Sequence, residues 1–263
     1  MTAKAATKLS ALIVAHNEEH QLAKCLECLA FVDELVVVLD KCTDRSDAIA
    51  SLFTENLIVG SWDIEGERRN IGREACTGEW ILEVDADERV SKELADEICA
   101  AIQSDRFNYY LIPFDNYIGE TLVRFGWGAA WGVSAAPRLS RKKYKRWGKE
   151  RIHPGLELIG PEGHLEHRMI HYVDENISDM IRRLDRYTTI RAKDIRENNN
   201  AGSFARNVRR IFSRFYKCYV GRKGYREGKY GFLIALFAGP VSYTHLRAHE
   251  TDSYLVCRLL LEK

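Results

Sequence analysis

Apolar and polar positions come in alternating blocks along the first hundred residues. Leu9, Ala11, Leu12, Ile13 and Val14 make a near-continuous apolar run that stops at His16, Asn17, Glu18 and Glu19. Leu22, Cys25, Leu26 and Leu29 follow at spacings of three, four and seven, the period of one helical face. Leu35, Val36, Val37, Val38 and Leu39 form a second run, ending in Asp40, Lys41, Cys42, Thr43, Asp44, Arg45 and Ser46. Residues 67–78 read as a short helix closed by Gly78. A third apolar run, Trp80, Ile81, Leu82 and Val84, ends in Asp85, Asp87 and Glu88. Runs of this kind suit strands covered on both faces. Strand, helix, strand, helix, with polar clusters where the strands end, predicts an α/β fold: an open, mostly parallel sheet flanked by helices, with its site along the carboxyl edge.

That edge carries the candidate chemistry. Three carboxylates within four positions repel one another unless a cation sits among them, and oxygen-only ligands point to Mg²⁺ or Mn²⁺. Further along, Tyr109, Tyr110, Leu111, Ile112, Pro113 and Phe114 suggest another strand. Residues 126–132 alternate Gly and Ala with Trp127 and Trp131, a loop whose indoles would suit the apolar faces of sugar rings or serve as core anchors. Residues 138–147 are strongly basic, beginning at Arg138, and would meet a phosphorylated acceptor or form a solvated hairpin.

The chain resembles the family 2 glycosyltransferases of GT-A fold, and within them the lipopolysaccharide-core β-1,4-glucosyltransferases. The resemblance rests on AHNEE, LDKCTDRS, ERRNIGREACTGEWILEVDADE, HPGLELIGPEGHLEHRMIHY and RRLDRYT, in that order, across about residues 8–240. It implies inverting transfer of a sugar from a UDP-sugar, with glucose the sugar of the nearest branch, to a lipid-anchored glycan acceptor. It implies Asp87 as direct metal ligand, with Asp85 reaching the metal or the donor ribose and sugar. Ala15, His16, Asn17 and Glu18 should hold the nucleotide, with Asp40 near the base, Asp44 beside it and Arg69 at the diphosphate or donor sugar. Glu88 joins the catalytic candidates as a residue that orients what the aspartates hold. Leu39 stands where many relatives carry a first Asp. Where many relatives have His-Glu this chain has His153-Pro154, so the general base is drawn from His153, Glu157 and Asp115, with His153 favoured. His171 matches a family histidine whose role is structural or metal-binding. Trp127, Trp131 and Arg138 stand as acceptor contacts.

Bulk composition narrows the class. At 263 residues, 46% hydrophobic and 29% charged, the chain fits one sizeable core with a smaller appendage. A net charge of +1 predicts no general nucleic-acid affinity. Seven cysteines show no disulfide framework and read as small buried residues in a reducing cytosol. No signal peptide is expected, and no apolar run reaches the ~18 residues of a membrane span, so the catalytic region should face the cytoplasm.

The expected partition is a nucleotide-sugar half over residues 1–105, an acceptor half over 106–175 and a helical extension over 176–240. Residues 206–229 carry nine Lys or Arg against the single acid Glu227, interleaved with Ile211, Phe212, Phe215, Tyr216, Tyr219 and Tyr225. Basic residues beside aromatics fit an anionic membrane surface, here the inner leaflet, better than RNA, for which no module is recognisable. Residues 241–263 resemble a translated transposase-type sequencing adapter, so His245, His249 and Cys257 carry no functional argument, and the natural chain is expected to continue beyond Pro240. Two other functions fit less well. A sugar nucleotidyltransferase needs a glycine-rich basic loop after the first strand, where this chain has His16-Asn17-Glu18-Glu19. A non-catalytic sugar-nucleotide or membrane-binding module is supported by Pro154 and opposed by Asp85 and Asp87.

Overall fold

A computed structural model describes residues 8–128, 133–149, 155–197 and 204–239. The chain divides into two compact units, residues 1–115 with 135–172, and residues 116–134 with 173–263.

The first unit opens with β1 (Leu9–Ala15), α1 (Leu22–Glu27), β2 (Glu34–Asp40), α2 (Ser46–Ala50), β3 (Leu57–Gly60), α3 (Glu65–Ala75) and β4 (Trp80–Val84). The two-residue β5 (Glu88–Arg89) leads to α4 (Lys92–Ala101), whose N-cap Ser91 accepts a hydrogen bond from the Leu94 amide. Then come β6 (Tyr109–Ile118), β7 (Thr121–Val123), β8 (Ala135–Arg141), β9 (Lys145–Trp147), β10 (Leu156–Leu158), β11 (Glu162–His164) and β12 (Met169–Asp174). The strand order is β3-β2-β1-β4-β8-β6-β12-β5, with β9 and β10 forming a separate antiparallel pair. β1 pairs parallel with both β2 and β4, and β3 is parallel to β2. β8 turns the sheet antiparallel against β4 and β6. The mostly parallel expectation therefore describes the first four strands, and the sheet as a whole is mixed.

The near-continuous apolar runs are explained by burial on two faces. From β1, Leu9, Ala11, Ile13 and Ala15 enter the larger core with Leu22, Cys25, Leu26 and Trp80. Leu12 points the other way, into a cluster with Val36, Val38, Cys76 and Ile81. α3 lies against this second face, and Gly72 permits its approach. A Cβ there would stand 2.4 Å from Leu12 Cδ1 and 2.8 Å from Val38 Cγ2. The sequence placed α3 close to its observed bounds, although the helix ends at Ala75, three residues before Gly78.

The second unit holds β7, α5 (Ile177–Glu197), α6 (Phe204–Tyr216) and α7 (Gly228–Ala238), with a π-helical turn at Lys217–Gly221. Ile118, Val123, Trp127, Met180 and Ile234 form its core. Glu227 accepts hydrogen bonds from the Arg124 and Phe125 amides, both at 2.9 Å, and so uses the lone acid of the basic stretch structurally. Among the described residues, no helix is long and apolar enough to cross a membrane.

Candidate functional site

Register sets the site. Ile13 lies opposite both Val37 of β2 and Val84 of β4, so the three strands run in register toward the same edge, β4 ending two residues before β1. Ala15 and His16, Asp40, and Asp85 therefore occupy one edge of the sheet.

At the β1 end, Ala15 is buried and His16 and Asn17 are exposed. His16 Nδ1 lies 2.6 Å from the Asp40 carbonyl oxygen, which ties the two strand ends together. Asn17 takes a left-handed φ of 56° and its Oδ1 accepts from the Thr43 amide at 2.7 Å. The Glu18 amide donates to Ser46 Oγ at 3.0 Å, and the Glu19 amide to Asp44 Oδ2 at 2.9 Å. Asp44 Oδ1 also accepts from the Ser46 amide at 3.0 Å. The Asp44 carboxylate thus joins the two turns. Asp40 is held in a similar way. It is buried, and its two oxygens accept from the Trp62 amide, at 2.9 Å, and from the Arg68 guanidinium. It positions the edge from beneath, and Arg68 is the group it presents.

The carboxylates after β4 separate into distinct environments. Asp85 is clamped by two arginines: Arg69 Nη2 donates to its Oδ1 at 3.1 Å, and Arg138 to its Oδ2. Burial pushes its carboxyl up, but Arg138 and Arg69 outweigh that and hold it well below the ordinary aspartate range. Arg69 also donates from Nε to Glu65 at 2.9 Å. Glu88 is fully buried, accepts from the Asp85 amide at 3.0 Å and pairs with Arg138. Burial raises its carboxyl to about 7, with Arg138 opposing and Asp85 adding to the rise. With no exposed surface, Glu88 holds the Asp85 amide and Arg138 from within the fold.

Asp87 differs from both. Its side chain is 37% exposed, and its Oδ2 lies 3.4 Å from Nε2 of His171, itself 19% exposed. β12 delivers this histidine, because His171 pairs with Glu88 across the β5–β12 ladder. Burial lowers the His171 imidazole, but the hydrogen bond to Asp87 outweighs it and leaves the group raised.

These donors test the expected metal. Among the described residues, no three His, Cys, Asp or Glu side chains form a cage. A partly exposed carboxylate beside a mostly buried imidazole would fit Mg²⁺ or Mn²⁺ of the kind that takes few protein ligands and completes its shell with phosphate and water. Both oxygens of Asp85 face guanidinium groups, whereas Asp87 faces His171.

The acceptor expectations fare unevenly. Trp127 is 4% exposed in the second unit's core, with its Nε1 donating to the Val123 carbonyl at 2.6 Å. It is an anchor and offers no stacking face. Arg138 belongs to the carboxylate cluster and stands with Arg141 on the interior strand β8, while Lys143 and Arg146 of the same basic run are exposed. Glu157 is exposed on β10, opposite Arg146. Asp115 lies 3.8 Å from Arg168 Nε. His153 and Trp131 lie outside the described residues, as do residues 241–263. Sequence reasoning missed Glu83, an acid buried within β4; its signal was a lone charge inside an otherwise apolar strand.

The carboxyl edge of the α/β sheet thus gathers an arginine-clamped aspartate and an aspartate–histidine pair. Residues 10–154 match the family model Glycosyl transferase family 2, over more than half the chain, and the protein belongs to that family of enzymes. It is 25% identical over 247 residues to an uncharacterized glycosyltransferase of Rickettsia felis, covering 87% of this chain and 84% of that protein. It is also 25% identical over 248 residues to the lipopolysaccharide core biosynthesis glycosyltransferase LpsC of Rhizobium meliloti, covering 87% and 86%. The crystal structure of S. aureus TarS 1-349 is similar with a TM-score of 0.47 at 20% identity, over 63% of this chain and 60% of that one.

Proposed function

We propose that this glycosyltransferase has the GT-A arrangement and transfers glucose from UDP-glucose, with inversion, to a lipopolysaccharide-core or related envelope-glycan acceptor. The observation that carries the reading is the Asp87–His171 pair beside the arginine-clamped Asp85 at the end of β4. The likeness to LpsC over most of both chains supports the acceptor class. In this reading residues 1–105 form the donor half and 106–175 the acceptor half.

The chemistry asks little of the protein. The bond between the anomeric carbon and the donor phosphate oxygen breaks, its electron pair leaving with UDP, while an acceptor hydroxyl oxygen bonds to that carbon and gives up its proton. Asp87 and His171 would hold the divalent ion, which offsets the charge growing on the diphosphate. Arg69 and Arg138 supply fixed positive charge at the same edge, and Asp85 keeps them there. His16, Asn17 and Glu18 border the nucleotide. The acceptor proton goes to a base from the acceptor half, with His153, Glu157 and Asp115 the candidates.

Calorimetric titration of UDP with and without Mn²⁺ tests the donor site. Wild-type protein should bind UDP in a metal-dependent way, and Asp87→Ala and His171→Ala should each abolish the metal dependence. Folded wild-type protein that binds no UDP in either condition would remove the UDP-sugar assignment.

The second unit supports attachment at an anionic membrane surface, on the cytoplasmic face of the inner membrane where a lipid-anchored acceptor would be presented. Phe212, Tyr216, Val220, Tyr225, Phe232 and Leu236 are exposed among Arg209, Arg210, Lys217 and Lys223.

A further inference from the structure

Glu83 is the only ionisable side chain of β4, and it is 1% exposed. It accepts from Arg73, from Lys145 Nζ at 2.9 Å and from the indole Nε1 of Trp147 at 2.9 Å. The main chain of Trp147 is held as well. Its amide donates to Asn70 Oδ1 at 3.0 Å, and its carbonyl accepts from Asn70 Nδ2 at 2.8 Å. One side-chain amide on α3 therefore pairs with β9 much as a neighbouring strand would. With backbone and ring nitrogen both tied, the plane of the indole is set. Over that plane lies the Arg69 guanidinium, its Cζ 4.9 Å from the ring centroid.

We propose that Trp147 is a positioning residue of the donor site, fixing the plane of the Arg69 guanidinium and, through it, the charge that meets the donor diphosphate. The inference rests on the UDP-sugar reading above. Arg69 is anchored at two nitrogens, Nε on Glu65 and Nη2 on Asp85. Two anchors still leave the fork free to roll about the line that joins them. The face of an aromatic ring attracts the flat cation and removes that freedom. Glu83 and Asn70 explain why the ring itself stays put. β9, which the sequence presents only as the end of a basic run, thereby becomes the support beneath the donor edge.

The test is a double-mutant cycle on UDP binding in Mn²⁺, measured by calorimetry on the full chain: wild type, Trp147→Leu, Arg69→Gln and the double variant. Trp147→Leu should weaken UDP binding about tenfold, within the range of a desolvated cation–π contact. In the Arg69→Gln background the same change should cost nothing further, because Trp147 acts through Arg69 alone. Trp147→Phe keeps a ring under the guanidinium and should stay within about threefold of wild type, although it loses the Glu83 bond and some thermal stability. Losses that add would mean that Trp147 touches the nucleotide itself, across the groove of about 680 Å³ that it lines with Trp62 and Asn70, and would overturn the proposal. Unchanged affinity in Trp147→Leu would overturn it too. Should Trp147→Leu fail to fold, Asn70→Ala, which frees the same segment from α3, enters the cycle in its place with the same expectations. Failure of wild type to bind UDP at all is a separate result, which removes the donor reading and this inference with it.

Discussion

Glu83 shows how one side chain can hold a site together without touching it. Burial pushes its carboxyl up, yet Lys145 and Arg73 outweigh this and hold it at about 2. A carboxylate lowered on folding contributes stability above its unfolded value, near 4.5 here, and loses that contribution as pH falls toward 2. Glu83→Gln should therefore cost about 3–5 kcal/mol at pH 7, because Arg73 and Lys145 are left buried and uncompensated. Urea unfolding of wild type and variant should show the gap narrowing steadily below about pH 4.5. A gap constant from pH 7 to pH 3 would contradict the charge argument. The aspartates of this edge were legible in the sequence, because acids crowded at a strand end are visible as a run. Their division of labour was not: Arg138 lies fifty-three positions from Asp85 and His171 far beyond Asp87, and only strand pairing brings them together.

At the scale of elements, the two-faced strands and the helix after β3 follow directly from apolar runs and periodicity. β8 was the element misjudged. Its arginines read as acceptor contacts or as part of a solvated hairpin, and β8 sits between β4 and β6, where Arg138 and Arg141 pair with Asp85, Glu88 and Asp105. Charge density alone cannot distinguish a solvated run from one whose partners are distant in sequence. α3 makes a sharper test of packing. Gly72→Ala would gain up to about 1 kcal/mol in helix propensity, but its Cβ would collide with the buried Leu12 and Val38 side chains. Overpacking costs about 1–3 kcal/mol, so the variant should unfold at lower urea than wild type. Ser91→Ala should cost about 1 kcal/mol through loss of the α4 cap, read by the same assay.

For the whole molecule, the near-neutral net charge conceals a strong local imbalance. Residues 206–229 concentrate positive charge around exposed aromatics, Phe212 among them at 70% exposure. Flotation with vesicles containing anionic lipid should recover the protein at low salt and release much of it in high salt, since each surface-near charge contributes ~1 kcal/mol and is screened. Recovery on neutral vesicles to the same extent would point to apolar insertion alone. The turns after β1 and β2 carry a different consequence. The amides of Thr43, Glu18 and Glu19 find their acceptors across the gap, on Asn17, Ser46 and Asp44. Segments 15–19 and 40–46 are thus interlocked. A chimera that borrows one of them alone strands the donors of the other and should unfold at lower urea than one that borrows both.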